Sequence, residues 1–268
     1  MRKESFSKRN GFNKVTEAPI IVRNDAPHDF RGVIPELAYE YGFNPDNLRE
    51  LVCRQLRKRP DQNNWSREPV KKEVLDHLDN CPWFKVYDIL EDIASQLQRI
   101  SLENAPEDFQ TDINDYLIAQ GIGWKLVDSI VTYRGPEGLD KLLTLAVATE
   151  ISQGHRTAAN ELHEAIMDMS RRPTADSTGA IQHAIASLEC VARGISGSKE
   201  TLGKWIRSNP SAFPKPLGEY VEKIWGFASE HGRHLVESGE PTMDEAELVL
   251  GLSATLGSYL SKKGKSNS

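Results

Sequence analysis

The sequence predicts a mainly α-helical protein: an N-terminal helical module with a small β-hairpin segment, followed by an antiparallel helical bundle. Three observations carry this. Apolar residues recur at three- and four-residue spacing along most of the chain, as they do on one face of a helix. Helix starts are written locally, at Asp25 with Pro27, at Asn44 with Pro45, and at Thr242 with Glu245. Period-two alternation is confined to the stretch GWKLVDSIVTYRG, residues 123–135, with Asp128 and Ser129 at its centre.

Residues 1–18 read as a flexible basic arm, because Arg2, Lys3, Lys8, Arg9 and Lys14 face only Glu4 and Glu17 and no periodic pattern organises them. The stretch APIIVRND suits a short strand. Asp25 and Pro27 then open a helix that ends at Gly42, with Phe30, Ile34, Leu37, Ala38 and Tyr41 on one face and a kink expected at Pro35. Asn44 and Pro45 open the next, whose stripe is Leu48, Leu51, Val52 and Leu56; at about 100° per residue Arg54, Arg57 and Lys58 fall on the opposite face. Helices over 69–80 and 82–98 follow, the second anchored by Trp83, Tyr87, Leu90 and Leu97. Residues 19–100 thus form one helical domain.

Residues 101–155 read as a helix-hairpin-helix connecting segment: a helix near 106–119 stopped by Gly121, the hairpin, then a helix over 137–151. The break SQGH, residues 152–155, marks the expected domain boundary. Residues 156–262 form the bundle. Its helices run over 156–170, then along TGAIQHAIASLECVARGI with Ile181, Ile185, Leu188, Ala192 and Ile195 on one face. PLGEYVEKIWGFA presents Leu217, Val221, Ile224 and Ala228, and the last helix follows the capping box at Thr242. Its small residues Gly251, Ala254 and Gly257 permit close packing, and residues 263–268 are a tail.

The 268 residues carry a net charge of -6, so attraction of the whole surface to nucleic acid or anionic lipid is excluded and any polyanion contact is local. The candidate for it is Arg54, Arg57, Lys58 and Arg59, read as nucleic-acid-binding against the alternative of a solvated helix face. Cys53, Cys81 and Cys190 are too scattered for a disulfide framework or a CxxC zinc site; they suit a reducing, cytoplasmic setting. The longest apolar stretch, LLTLAVA at 142–148, is far short of a bilayer span, so no membrane partner is expected.

Familiar signatures fail on inspection. GISGSKET lacks the spacing and Gly-Lys pair of a P-loop, GIGWKL lacks the third glycine of a dinucleotide fingerprint, and HEAIM has Met where a zinc protease needs its second His. No cofactor and no metal are expected. His155, His163 and His183 stand apart, whereas Glu230, His231, Arg233 and His234 crowd around Gly232 in a stretch read as a turn. Glu189 sits at the rim of an apolar stripe, where a carboxylate needs a donor or a path to water.

Two stretches resemble known families. FSKRNGF, NDAP, AYEYG, LRELVCRQLRKRPDQNNWS and CPWFKVYDILEDI are similar to the N-terminal domain of AbiJ-related abortive-infection proteins, over roughly residues 5–95. TGAIQHAIASLECVARGI, TLGKWI, WGFASEHGRH and EAELVLGLSATLGSYL resemble the abortive-infection C-terminal domain, a HEPN-like helical bundle, over roughly residues 156–262. The resemblance implies an antiviral protein of phage defence, with a sensing N-terminal part, an acting C-terminal part, a homodimeric assembly, and a phage-derived trigger or partner protein.

The same resemblance implies a metal-independent ribonuclease motif, Arg-Asn-x-x-Gly-x-x-His-Gly. Setting Gly232 on the motif glycine puts Ala228 and Ser229 where Arg and Asn belong and brings the His one residue early, at His234. The catalytic candidates are then His234 as proton shuttle, Arg233 as a substitute phosphate ligand, and Glu189. The open alternatives are a degenerate HEPN-like bundle used for dimerisation or partner binding, and a nucleic-acid-binding adaptor acting through the basic N-terminal module.

Overall fold

The computed structural model describes Asn10 and residues 15–100, 104–233 and 240–265, without the side chains of 100, 231–233 and 265. The protein is mainly α-helical with one two-stranded antiparallel hairpin, and it divides into two compact units, Met1–Arg134 and Gly135–Ser268.

In the first unit α1 spans His28–Glu40, α2 Pro45–Leu56, α3 Arg67–Asn80, α4 Trp83–Ile100 and α5 Ala105–Ala119; β1 is Trp124–Val127 and β2 Ile130–Tyr133. The apolar stripes read from the sequence meet in one core that includes Phe30, Ile34, Leu48, Leu51, Leu90, Phe109 and Ile113. Helix α1 runs through Pro35, which leaves the Arg31 carbonyl without an i+4 N–H. The buried Arg31 guanidinium donates to the carbonyls of Ala26, Leu78 and Cys81, fastening the start of α1 to the end of α3. Asn44 caps α2 by accepting from the Asn47 amide at 2.8 Å, as its sequence signal requires.

The expected strand before α1 shrinks to a single parallel bridge, Val22 to Ile122. The hairpin forms as expected, pairing Trp124 with Tyr133 and Val127 with Ile130. Asp128 and Ser129 both take positive φ, 49° and 66°, so the turn is of the primed hairpin kind despite having no glycine. Neighbouring side chains support it: Asn114 of α5 bonds both the amide and the carbonyl of Leu126, and Glu91 of α4 accepts from the Val131 amide.

The second unit holds α6 (Glu137–Ser152), α7 (Arg156–Ser170), α8 (Ser177–Ser196), α9 (Leu202–Ser208), α10 (Leu217–Arg233) and α11 (Met243–Lys265). Helix α8 is central, packing on α7, α10 and α11, while α6 packs on α11 and α7. The two compact units divide after Arg134, upstream of the break in pattern near residues 151–157, and Leu143, Ala146 and Glu150 of α6 are buried. The turn read around Gly232 is also corrected: residues 229–233 continue α10. The capping box of α11 is present, with the Thr242 amide bonded to Glu245 and the Glu245 amide to the Thr242 hydroxyl. Among the described residues no helix is long and apolar enough to cross a membrane.

Candidate functional site

The densest gathering of functional side chains in the first unit lies where α2 turns into α3. Helix α2 ends with Arg57 in the left-handed region, φ 53°, while the Lys58 amide reaches back to the Cys53 carbonyl at 2.8 Å. Arg57 and Lys58 consequently sit in the loop and not on a helix face, and with Arg59 they are exposed. Arg54 remains on the helix and pairs with Asp92 at 3.4 Å. The four basic residues predicted as a nucleic-acid site are thus adjacent and solvent-facing, but one is partly neutralised. Trp65, at the far end of the same loop, is 86% exposed. The arm residues Arg2, Lys3, Lys8, Arg9 and Lys14 lie outside the described residues.

Beneath this loop is a polar set that sequence reading missed. Glu73 of α3 is buried, and its carboxylate accepts from the Asp61 amide at 2.8 Å and from Asn64 Nδ2 at 3.0 Å; Arg49 stands 3.6 Å away. One helical turn on, His77 Nε2 lies 3.8 Å from Glu73 Oε1, and its Nδ1 meets Lys58 Nζ at 3.4 Å. Cys53 of α2, also buried, completes the set: its sulfur, a Glu73 oxygen and a His77 ring nitrogen all lie within 4.8 Å of one another. Burial raises the Cys53 thiol pKa, helped by the Glu73 charge and opposed by Arg49 and Lys58. Burial and Lys58 lower that of His77, keeping the imidazole neutral. The only sequence signal was the Glu73-x-x-x-His77 spacing, which puts both side chains on one helix face.

In the second unit Glu189 of α8 is tied into the scaffold. One oxygen accepts from the Leu202 amide at 2.7 Å, at the start of α9, and the other meets Arg193 at 3.0 Å. Ala228, where the sequence resemblance would set the motif's Arg, is buried at 3% exposure. Glu230 is exposed; the Arg233 side chain and all of His234 lie outside the described residues. His183 pairs with Glu161 at 2.7 Å, and the ring of His155 packs over Gly194. A different acid is unusual. Glu150 of α6 is fully buried, within 3.5 Å of the Ser187 hydroxyl and against Gly257, with its second oxygen unpartnered; burial pushes its carboxyl up to about 7, against the Ser187 bond.

The family model for AbiJ N-terminal domain 4 matches residues 4–149. No curated protein and no solved structure matches the chain. The matched stretch takes in the first unit, with the whole α2–α3 corner, and most of α6. Because it spans more than half of the 268 residues, the chain belongs to the AbiJ N-terminal domain 4 family of abortive-infection proteins.

Proposed function

We propose that the protein is a phage-defence protein of the abortive-infection type, in which the AbiJ-type unit recognises a phage-derived trigger and the C-terminal bundle delivers the response. The family match over residues 4–149 is the observation that carries this reading. The helical bundle supports a division of labour, being a separate compact unit that begins at Gly135. By its sequence resemblance that bundle is HEPN-like and works as a cytoplasmic homodimer, with RNA as its substrate.

The proposed chemistry is metal-independent cleavage, with His234 moving the proton of the attacking 2′-hydroxyl and Arg233 neutralising charge on the phosphate. Glu189 is left out of it, since both of its oxygens are engaged in holding α9 and Arg193. A second reading, a degenerate bundle that binds a partner or dimerises without cutting RNA, is favoured by the burial of Ala228. An Arg there would have to enter the core, so the phosphate ligand must come from elsewhere.

Phage challenge of cells carrying wild type, His234→Ala or Arg233→Ala, with transfer RNA followed in EDTA after infection, separates the readings. Protection with RNA cleavage that both substitutions abolish supports the nuclease. Protection that persists in both variants with intact RNA supports the scaffold. No protection by the wild type against any phage that expressing cells encounter refutes the defence role.

A further inference from the structure

The geometry points to a divalent transition-metal site, zinc above all, formed by the Cys53 sulfur, the Glu73 carboxylate and the His77 imidazole in the first unit. The ligands come from two adjacent helices, and the α2–α3 loop lies between them in sequence. Their chemistry selects the metal: sulfur with imidazole suits zinc, cobalt or copper, whereas magnesium and calcium want oxygen alone.

The spacing is close to what such an ion needs. Zinc–ligand bonds of about 2.0–2.3 Å set the donor atoms of a tetrahedron about 3.5 Å apart. His77 Nε2 and Glu73 Oε1 stand 3.8 Å apart, and the full set spans no more than 4.8 Å, so an inward shift of about 1 Å closes it. His77 Nε2 is buried and has no hydrogen-bond partner among the described residues. A buried ring nitrogen in that state is costly unless something accepts its proton or takes its lone pair.

The surroundings orient the ligands as metal proteins do. The Asp61 amide and Asn64 fix the carboxylate, each occupying one lone pair and leaving another free on Glu73 Oε1. On binding, the Cys53 thiol gives its proton to solvent, and the thiolate and carboxylate together neutralise the ion. His77 Nδ1 then carries the ring proton, so exposed Lys58 must turn away to solvent. Three protein ligands leave the fourth position to water. The ion would clamp α2 to α3 and hold the loop that carries Arg57, Lys58 and Arg59.

Full-length protein stripped with a chelator and titrated with cobalt(II) tests this directly. We expect one cobalt per chain and a sulfur-to-cobalt charge-transfer band that zinc displaces. Cys53→Ser abolishes the band, Glu73→Gln and His77→Ala weaken binding by about tenfold or more, and Lys58→Ala binds at least as tightly as wild type. Native mass spectrometry should find one zinc per wild-type chain. The absence of a band at stoichiometric cobalt overturns the proposal, as does a band that survives Cys53→Ser. Should Cys53→Ser fail to fold, His77→Ala, changed at a partly exposed ring, decides: unaltered affinity there also overturns it.

Discussion

Replacing Glu150 by Gln should stabilise the protein increasingly as pH rises above about 4.5, and most at neutral to alkaline pH. In the folded bundle the Glu150 carboxyl is held up at about 7 against an ordinary value of 4.5, chiefly because burial penalises its charged form. Between these two values the unfolded chain has released its proton while the folded chain keeps it. Folding then takes up a proton, and stability falls as pH rises through the window. Below about 4.5 both states are protonated and the group is neutral to stability; above about 7 the full penalty applies, about 3 kcal/mol at about 1.4 kcal/mol per pH unit. Gln keeps the shape, offers an amide that the Ser187 hydroxyl can accept, and has no charge to bury. Urea denaturation at pH 4 and pH 8 reads the difference. The variant should match wild type at the lower pH and exceed it at the higher one by up to about 3 kcal/mol, or roughly 10 °C in Tm at ~2–4 °C per kcal/mol. Parallel pH profiles for the two proteins would mean that Glu150 keeps its charge in the fold, refuting the burial argument.

Three further outcomes rest on side chains already placed. Arg31→Met leaves the carbonyls of Ala26, Leu78 and Cys81 without their shared donor and should cost about 3 kcal/mol or more in urea. Glu189→Ala removes the acceptor at the start of α9 and should cost about 1 kcal/mol, while Glu189→Gln keeps an acceptor and restores most of it; RNA cleavage abolished by Glu189→Gln would return this residue to the chemistry. Reversing Arg57, Lys58 and Arg59 should lower the slope of log affinity for single-stranded RNA against log salt by about 0.7 for each phosphate that is no longer neutralised, with Arg54 reversal adding less because of Asp92; an unchanged slope makes the loop a solvated surface.

What could be read from the sequence was what neighbouring residues decide. The Asn44 cap and the Thr242 capping box are satisfied by atoms within a few residues, and both form where expected; the Asp128-Ser129 turn also forms where expected, with the Asp128 amide bonded to Gln110 of α5. Signals fail where distant packing wins. Arg57 ends α2 in a conformation usually given to Gly, so the basic residues after it looked helical. Gly232 looked like a turn, yet helix α10 continues through it to Arg233. Cys53 and His77 are far apart in sequence, and they meet because the loop after α2 folds back, Arg49 bonding the Asn64 carbonyl, before α3 runs alongside α2. Glu150 sits in a helix that seemed to be connective, so nothing local marked it as a fully buried acid.

The role of α6 has a consequence for where the protein can be cut. Arg134 closes the first unit: its guanidinium, 2% exposed, donates to the Ile122 carbonyl at 2.9 Å and pairs with Glu17 at 2.9 Å. Beyond Gly135 and Pro136, α6 buries Leu143 and Ala146 in the second unit and sets Glu150 against Ser187 and Gly257. The family match ends at residue 149, within this helix, so its end does not mark where a unit stops folding. A fragment of residues 1–134 should melt at the same temperature as one of residues 1–149, whose extra helix lacks α7 and α11, against which it packs. Conversely, residues 135–268 should unfold cooperatively, whereas residues 156–268 lack α6, leave the facing sides of α7 and α11 uncovered, and should bind a dye for exposed apolar surface. If 156–268 proves as stable as 135–268, α6 is an accessory to the bundle and the boundary belongs at residue 155 after all.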